Sequence, residues 1–203
     1  MNGAILLAAG TGTRYQGRKQ DLMFHGKPLW RYAYDTARDI VGQSNLIAVG
    51  KDIEGGATRT ASVINGLKAL SDDIDRVIIL EAARPLVTKE QILQLLNDSH
   101  PSSTFVRPLV NTVVRRNGTY IDRDSLYELL TPQAFDKRLL LEAYQKGNFA
   151  DMTDETRVMA EYHGIKPHFI ETASNLFKIT YQGDLSILEA IYQSQSPIAP
   201  YGE

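Results

Sequence analysis

The chain of 203 residues contains no cysteine. Disulfide bonds, thiolate metal sites and a cysteine nucleophile are therefore excluded. A dominant charge of one sign is also missing, because the formal net charge is −2, and general nucleic-acid binding is not expected. No apolar run approaches the roughly 20 residues that cross a membrane, and no signal peptide is recognisable. These absences favour a cytoplasmic enzyme or binding protein without a membrane partner.

The composition is that of an ordinary globular domain, with 43% hydrophobic and 23% charged residues. A chain of this length can bury a sizeable core, and we predict one domain over residues 1–203. Apolar strand-like runs alternate with helical patterns from residue 4 to about residue 100. This alternation predicts an α/β fold whose mostly parallel sheet is flanked by helices.

The most informative stretch is an apolar run followed by a glycine-rich loop with cations. The glycines and cations of that loop are Gly10, Gly12, Arg14, Arg18 and Lys19. Glycines let backbone N–H groups point at an anion, and nearby cations neutralise phosphate oxygens, which predicts a triphosphate cradle. The loop is not a P-loop, because no Gly-Lys-Ser/Thr closes it, and Tyr15 takes the third glycine position of a dinucleotide fingerprint. An ordinary strand-to-helix turn with a solvated basic patch is the alternative.

Two further positions suit ligand binding. Gly55 and Gly56 precede a helix start that carries Arg59 and Ser62, and such a corner can hold an anion, although a plain helix N-cap is the alternative. An apolar strand ends in Glu81, and open α/β sheets place ligand chemistry at the carboxyl ends of central strands. For Glu81 the alternative is a surface turn with a local ion pair.

The second half of the chain contains the strongest hairpin signal, Asn117-Gly118. We predict a β-arm at about residues 107–135 that pairs with a second subunit, because an exposed arm alone is prone to aggregate. The segment 131–135 is expected to lead into a helix over residues 136–146. Further helices are predicted from Thr153 and over 184–193, and strands over 168–171 and 176–180.

Six short blocks occur in an order that is specific in combination. They are Ala8-Ala9-Gly10-x-Gly12-x-Arg14 with Lys19-Gln20, Gly55-Gly56-x-x-Arg59-x-x-Ser62, Ala82-Ala83-Arg84-Pro85, Thr131-Pro132-Gln133-x-Phe135, Thr153-Asp154-Glu155 and Lys178-Ile179-Thr180. With these blocks the chain resembles the 2-C-methyl-D-erythritol 4-phosphate cytidylyltransferases and the related ribitol-5-phosphate cytidylyltransferases. The resemblance extends over about residues 3 to 193.

The resemblance implies a Rossmann-like nucleotidyltransferase fold, a homodimer joined by β-arms, and Mg²⁺ as cofactor. It implies that CTP and a polyol phosphate give a CDP-polyol and pyrophosphate. The implied catalytic cations are Arg14, Lys19 and Lys178. The implied nucleotide-binding residues are Ala8, Ala9, Gly10, Gly12, Gly55, Gly56, Arg59, Ser62 and Glu81, with Glu81 also holding the metal. The implied acceptor-binding residues are Lys137 and Arg84.

The chain departs from the family pattern at several positions, and the CTP half of the pattern is better supported than the acceptor half. Glu81 and Asn111 stand where the family usually has aspartate, and Lys137 stands where an arginine is usual. Arg18 replaces a proline in a loop that looks shortened, and Asn175 lies three residues rather than two before the last lysine.

These departures leave several readings open. Methylerythritol phosphate, an isoprenoid precursor, is the expected acceptor. Ribitol 5-phosphate or another polyol phosphate of cell-surface polymer synthesis is the alternative. A non-catalytic nucleotide-binding homologue is motivated by Glu81 and the short loop, and an enzyme using another nucleoside triphosphate rests only on the general fold.

Overall fold

The computed structural model describes residues 1–149, 152–173 and 176–195, and its centre is a β-sheet flanked by helices. In chain order the strands are β1 (Asn2–Leu7), β2 (Met23–Phe24), β3 (Lys27–Pro28), β4 (Leu46–Val49), β5 (Arg76–Glu81), β6 (Ser102–Pro108), β7 (Val113–Val114), β8 (Tyr120–Ile121), β9 (Tyr127–Asp136) and β10 (His168–Glu171). The α-helices are α1 (Leu29–Val41), α2 (Arg59–Ala69), α3 (Lys89–Leu96), α4 (Lys137–Lys146), α5 (Glu155–His163) and α6 (Asp184–Gln195).

The central sheet has six strands in the order β10-β6-β9-β5-β1-β4. β1 pairs in parallel with β4 and β5, and β10 pairs in parallel with β6. β9 lies antiparallel between β5 and β6. The predicted α/β fold with a mostly parallel sheet is therefore confirmed, with β9 as a reversed strand within it.

The sheet separates two hydrophobic cores. β1 contributes Leu6 to one core and Ile5 to the other, because successive side chains of a strand point to opposite faces. Helices α1 and α3 pack on the Leu6 face, and α2, α4 and α5 pack on the Ile5 face. Both side chains are fully buried, and burying a side chain of this size stabilises the fold by about 1.5–3 kcal/mol. The continuous apolar runs of β1 and β5 thus match strands that are covered on both faces.

The segment 131–135 leads into helix α4 as predicted, with Asp136 as the N-cap, and it also forms the buried end of β9, between β5 and β6. Two other sequence-based predictions about local structure are wrong. The segment 176–180 forms no strand, because its Ile179 N–H donates to Ala83 O in the loop after β5 instead of to a sheet edge. Helix α5 is capped by Asp154 rather than Thr153, since the Asp154 carboxylate accepts from the N–H groups of Thr156 and Arg157. Asn175 lies outside the described residues.

The predicted hairpin is confirmed at β7 and β8, where the Gly118 N–H donates to Arg115 O at 2.8 Å and Gly118 has a φ of +88°. The side chains of Val114 and Tyr120 are exposed there. β6 and β9 belong to the central sheet, so the part of the chain that leaves the sheet lies between them. Pairing of this arm with a second subunit stays a prediction. Within the described residues, no helix is both long and apolar enough to cross a membrane.

Candidate active site

A cleft of about 400 Å³ opens at the carboxyl ends of β1 and β5. Its walls are the loop after β1, the start of α2, the end of β5 and one residue from the segment before α6. Most of the residues predicted from the sequence line it. They are Ala8, Ala9, Gly10, Gly12, Arg14, Lys19, Gly56, Arg59, Ser62, Glu81 and Lys178. Gly55, Arg84 and Lys137 are not among the lining residues.

The loop after β1 is held closed by Gln20. The buried Gln20 amide donates from Nε2 to Ala8 O at 3.0 Å and to Gly10 O at 2.8 Å. Gly12 has a φ of +69°, and a Cβ at this position would lie 1.8 Å from Gly17 O, so only glycine fits. The shape of the loop is therefore stabilised by contacts within its own sequence.

The loop before α2 packs directly against the loop after β1. A Cβ at Gly55 would lie 2.3 Å from the Ala9 Cβ, so Gly55 contributes by close packing, behind the surface of the cleft. The Ser62 hydroxyl accepts from Gly56 N–H at 3.1 Å and donates to Thr58 O at 3.0 Å. Thr58 caps α2, and the same cap places Ser62 and Arg59 at the cleft.

Arg59 is anchored by a fully buried carboxylate. Its Nη1 and Nη2 donate to Glu155 at 2.6 and 2.9 Å, and the Tyr144 hydroxyl donates to Glu155 Oε1 at 3.1 Å. Burial alone would lower the pKa of Arg59, but the facing Glu155 carboxylate raises it, so Arg59 stays charged. The sequence predicts no role for Glu155 beyond its place in the Thr153-Asp154-Glu155 block. The signal in the sequence is a glutamate at a helix start, and its burial is seen only in the structure.

Glu81 is the acidic group of the cleft. Its Oε2 lies 2.5 Å from Lys178 Nζ and its Oε1 lies 3.8 Å from Arg59 Nε. Burial alone would raise the pKa of Glu81, but the charges of Lys178, Arg59 and Arg84 lower it, so the carboxylate is ionised at neutral pH. A surface turn with a local pair is therefore not what is observed, because Glu81 pairs with residues far away in the chain.

Lys19 lies among other cations. Burial lowers the pKa of Lys19, and the nearby charges of Lys178 and Arg14 lower it further. Such repulsion is relieved when a polyanion binds between the cations. The solvated-patch alternative does not fit this arrangement, because the cations converge on one cleft from two distant segments.

Arg84 has a buried guanidinium that ties two segments together. Its Nε donates to Thr131 Oγ1 at 2.8 Å, and its Nη1 donates to Leu176 O. Together with the bond from Ile179 N–H to Ala83 O, this contact holds the segment that carries Lys178 against the end of β5.

Lys137 lies at the start of α4, next to the amino end of β5, and therefore at the opposite end of the sheet from Glu81. Its Nζ is buried and donates to Leu70 O at 3.2 Å and to Ser71 O at 2.7 Å. These carbonyls follow the last turn of α2, where a cation is favourable. The structure thus does not bring Lys137 into the cleft of its own chain.

Comparison with known proteins gives a consistent result. The family model for IspD, 2-C-methyl-D-erythritol 4-phosphate cytidylyltransferase, matches residues 32–194. The enzyme of that name from Haemophilus influenzae is 32% identical over 212 residues, covering 92% of this chain and 94% of the relative. The one from Thermotoga neapolitana is 31% identical, covering 98% of this chain and 100% of the relative.

Solved structures agree with these relatives. The bifunctional IspDF of Campylobacter jejuni superposes with a TM-score of 0.79 at 26% identity, over 91% of this chain and 53% of that one. The 4-diphosphocytidyl-2C-methyl-D-erythritol synthase of Anaerococcus prevotii superposes with a TM-score of 0.79 at 23% identity, over 95% of this chain and 96% of that one.

Proposed function

Because the chain belongs to the IspD family of 2-C-methyl-D-erythritol 4-phosphate cytidylyltransferases, which are nucleotidyltransferases, we propose that it transfers the cytidylyl group of CTP to 2-C-methyl-D-erythritol 4-phosphate. Pyrophosphate is the second product. The observation that carries the proposal is the convergence of Arg14, Lys19 and Lys178 on a cleft that also holds the ionised Glu81.

The reaction needs charge neutralisation more than covalent chemistry. An oxygen of the acceptor phosphate attacks the α-phosphorus of CTP, and the bond from that phosphorus to the bridging oxygen of the β-phosphate breaks. Both reactants are anions, so alignment and electrostatic stabilisation lower the barrier. Arg14, Lys19 and Lys178 supply positive charge on the triphosphate side, and Lys178 also reaches the carboxylate at the end of β5.

The nucleotide is proposed to lie along the two loops that pack together. The loop after β1, held by Gln20, receives the triphosphate through Ala8, Ala9, Gly10 and Gly12. The loop before α2 forms the side of the cleft that receives cytosine, with Gly55 and Gly56 allowing its close approach and Ser62 holding its shape. Arg59 lies between this wall and Glu81.

Glu81 is proposed as the residue that holds Mg²⁺. This ion prefers oxygen ligands and is commonly bound by one or two carboxylates together with substrate phosphates and water. The Glu81 carboxylate fits, because it is ionised, lines the cleft and lies beside the cations that would contact the phosphates. When bound, Mg²⁺ would neutralise charge on the phosphates.

The acceptor, the oligomeric state and the location are parts of the same proposal. Methylerythritol 4-phosphate is the proposed acceptor, and ribitol 5-phosphate or a similar polyol phosphate is the alternative. The hydrogen bonds of Arg84 and Lys137 support structural roles for both residues more than acceptor binding. A homodimer is proposed from the exposed apolar side chains of the β7–β8 hairpin, and the cytoplasm is proposed as the site of action.

The test is pyrophosphate release from CTP with Mg²⁺, run in parallel with methylerythritol 4-phosphate, ribitol 5-phosphate and other polyol phosphates. Release with methylerythritol 4-phosphate alone supports the proposal in full. Release with another acceptor alone contradicts the substrate. Measurable CTP binding with no release for any acceptor contradicts catalysis, and a clear preference for UTP or ATP contradicts the nucleotide.

A further inference from the structure

A second cluster of ligand-type side chains lies outside the cleft and consists of Asp98, His100 and His168. Asp98 Oδ1 lies 2.9 Å from His100 Nδ1, and Asp98 Oδ2 lies 2.6 Å from His168 Nδ1. The two imidazole rings are stacked, with centroids 4.1 Å apart. One ligand atom from each residue lies within 4.8 Å of the other two. The cluster joins the loop after α3 to the first residue of β10.

This cluster lies at the opposite end of the sheet from the cleft. His168 pairs with Ser103 at the beginning of β6. On the other side of β9, strand β5 also begins at this end of the sheet, at Arg76, and it ends at Glu81 at the other end. Ligand binding at this cluster is therefore independent of the proposed function. Both imidazoles are exposed, whereas the Asp98 side chain is largely buried, at 11% exposure.

We propose that Asp98, His100 and His168 form a binding site for a divalent transition-metal ion of the zinc class. Zinc binds imidazole nitrogen and carboxylate oxygen at about 2.0–2.2 Å, so a tetrahedral ion separates two such ligands by about 3.3 Å. The two observed nitrogen–oxygen distances are 2.9 and 2.6 Å. For an ion to replace the protons between these atoms, the two distances have to lengthen by about 0.4 and 0.7 Å, and the three ligand atoms, which lie within 4.8 Å of one another, have to close around it.

The ligand types select the class of ion. Two imidazoles and one carboxylate suit zinc, cobalt, nickel or copper, whereas Mg²⁺ prefers oxygen ligands alone. The exposed rings provide a path for the ion, and water can take the fourth position. This site is thus chemically distinct from the carboxylate proposed to hold Mg²⁺ in the cleft.

The backbone that carries the ligands is fixed by other contacts. The His100 N–H donates to Asp98 Oδ1 at 2.9 Å. The Arg76 guanidinium donates to His100 O at 2.8 Å and to Ser103 Oγ at 2.7 Å, which ties the loop to β6. A metal ion here would clamp the edge strand β10 to the loop after α3.

The experiment titrates the full chain with Co²⁺, followed by visible absorption, and with Zn²⁺, followed by calorimetry. We expect one transition-metal ion per chain, a Zn²⁺-dependent rise in Tm, and a Zn²⁺ affinity that excess Mg²⁺ does not reduce. His100→Ala and His168→Ala are each expected to weaken Zn²⁺ binding at least about tenfold, since even indirect support of a metal ligand is worth that much.

His25→Ala is the matched control. His25 also contacts a carboxylate, Glu189, at 2.9 Å, and its exposure of 43% is close to the 42% of His168. We expect unchanged Zn²⁺ affinity in this variant. An equal loss in His25→Ala, or full affinity in both His100→Ala and His168→Ala, overturns the proposal.

A measurement on the unsubstituted chain avoids any dependence on how the variants fold. Imidazole ¹⁵N resonances of the four histidines are recorded with and without Zn²⁺. Large shifts confined to His100 and His168 support the site. Unchanged resonances for these two residues at saturating Zn²⁺ overturn it.

Discussion

The cations of the cleft affect the protonation of Lys19, which lies among them. Lys19 has a lowered pKa because it is partly buried and because Lys178 and Arg14 carry like charges nearby. A triphosphate between these groups would offset that repulsion, so ligand binding and protonation of Lys19 support each other. Glu81 partly balances the cluster through its contact with Lys178. The cleft is thus electrostatically prepared for a polyanion.

Lys19→Ala tests the role of these charges. We expect kcat to fall on the order of 10²–10³-fold, because a well-placed charge donor to the transition state is lost, while the fold remains intact. Lys68→Ala is the control, since Lys68 is an exposed lysine of α2 that does not line the cleft. Near-normal turnover of Lys19→Ala, measured by pyrophosphate release, would remove the triphosphate-cradle argument.

Glu81→Gln tests the metal assignment. We expect the Mg²⁺ concentration for half-maximal activity to rise at least about tenfold, because a neutral amide is a poor replacement for a carboxylate ligand. The measurement is an Mg²⁺ titration of activity at saturating CTP. Glu54→Gln, an exposed glutamate just before the Gly55-Gly56 loop, serves as control. An unchanged titration in Glu81→Gln would show that Glu81 does not hold the metal.

At the scale of elements, the start of α5 holds Arg59 in its position at the cleft. Its first residue, Glu155, is fully buried and bonds both Arg59 and Tyr144. Gln133 of β9 donates to the Asp154 cap of the same helix at 3.2 Å. The position of Arg59 therefore depends on the packing of α5 and β9.

Glu155→Gln is expected to lower the free energy of unfolding by about 3 kcal/mol, because the partly buried Arg59 loses its compensating charge. The measurement is urea denaturation followed by circular dichroism. Glu161→Gln on the same helix removes the exposed pair with Arg157 and should cost less than about 1 kcal/mol. Equal effects of the two substitutions would contradict a special role for the buried pair.

The first half of the fold could be predicted from the sequence, whereas β9 could not. The continuous apolar runs of β1 and β5 are typical of buried parallel strands. In β9, Thr131 and Pro132 interrupt the pattern, because Leu130 pairs with Phe105 and Gln133 already pairs with Thr104. Pro132 thus lies at an irregularity of the strand, a place where a proline is tolerated in a sheet. A single sequence does not distinguish this arrangement from a turn before a helix.

The candidate site also contains residues that could be predicted from the sequence and residues that could not. The glycine-rich loop and Glu81 were predictable, since their chemistry is local and their place at strand ends follows from the topology. The partners of Arg84 and Lys137 are carbonyl and hydroxyl groups of distant segments, and no periodicity indicates them. The sequence identified Gln20 only as part of a motif. Its role in closing the loop could not be predicted, because its hydrogen bonds depend on the conformation of the loop.

At the scale of the whole molecule, the two ends of the sheet differ in character. The carboxyl end of β5 opens into the cleft with its cations, and the amino end lies beside Lys137 and the histidine cluster. The β7–β8 hairpin extends from the sheet with Val114 and Tyr120 exposed. Exposed apolar side chains on a short hairpin are expected to be covered by another subunit.

Tyr120→Asp is expected to weaken dimer formation at least about tenfold, because a charge would be buried in an apolar contact. Sedimentation equilibrium measures the dissociation constant directly. Leu93→Asp changes an exposed apolar residue of α3, away from the hairpin, and should leave that constant unchanged. A monomeric wild-type chain, or equal weakening by both substitutions, would contradict the dimer arm.

The closure of the first loop by Gln20 limits how this protein can change over generations. Both hydrogens of its amide face carbonyl oxygens, those of Ala8 and Gly10. Glutamate has the same shape but would set an acidic oxygen against these carbonyls, and methionine would leave both without a donor. Glutamate and methionine, the residues closest in shape to glutamine, would therefore both lose the hydrogen bonds that hold the loop closed. Substitution is therefore more restricted at position 20 than at the exposed position 18, where Arg18 lies.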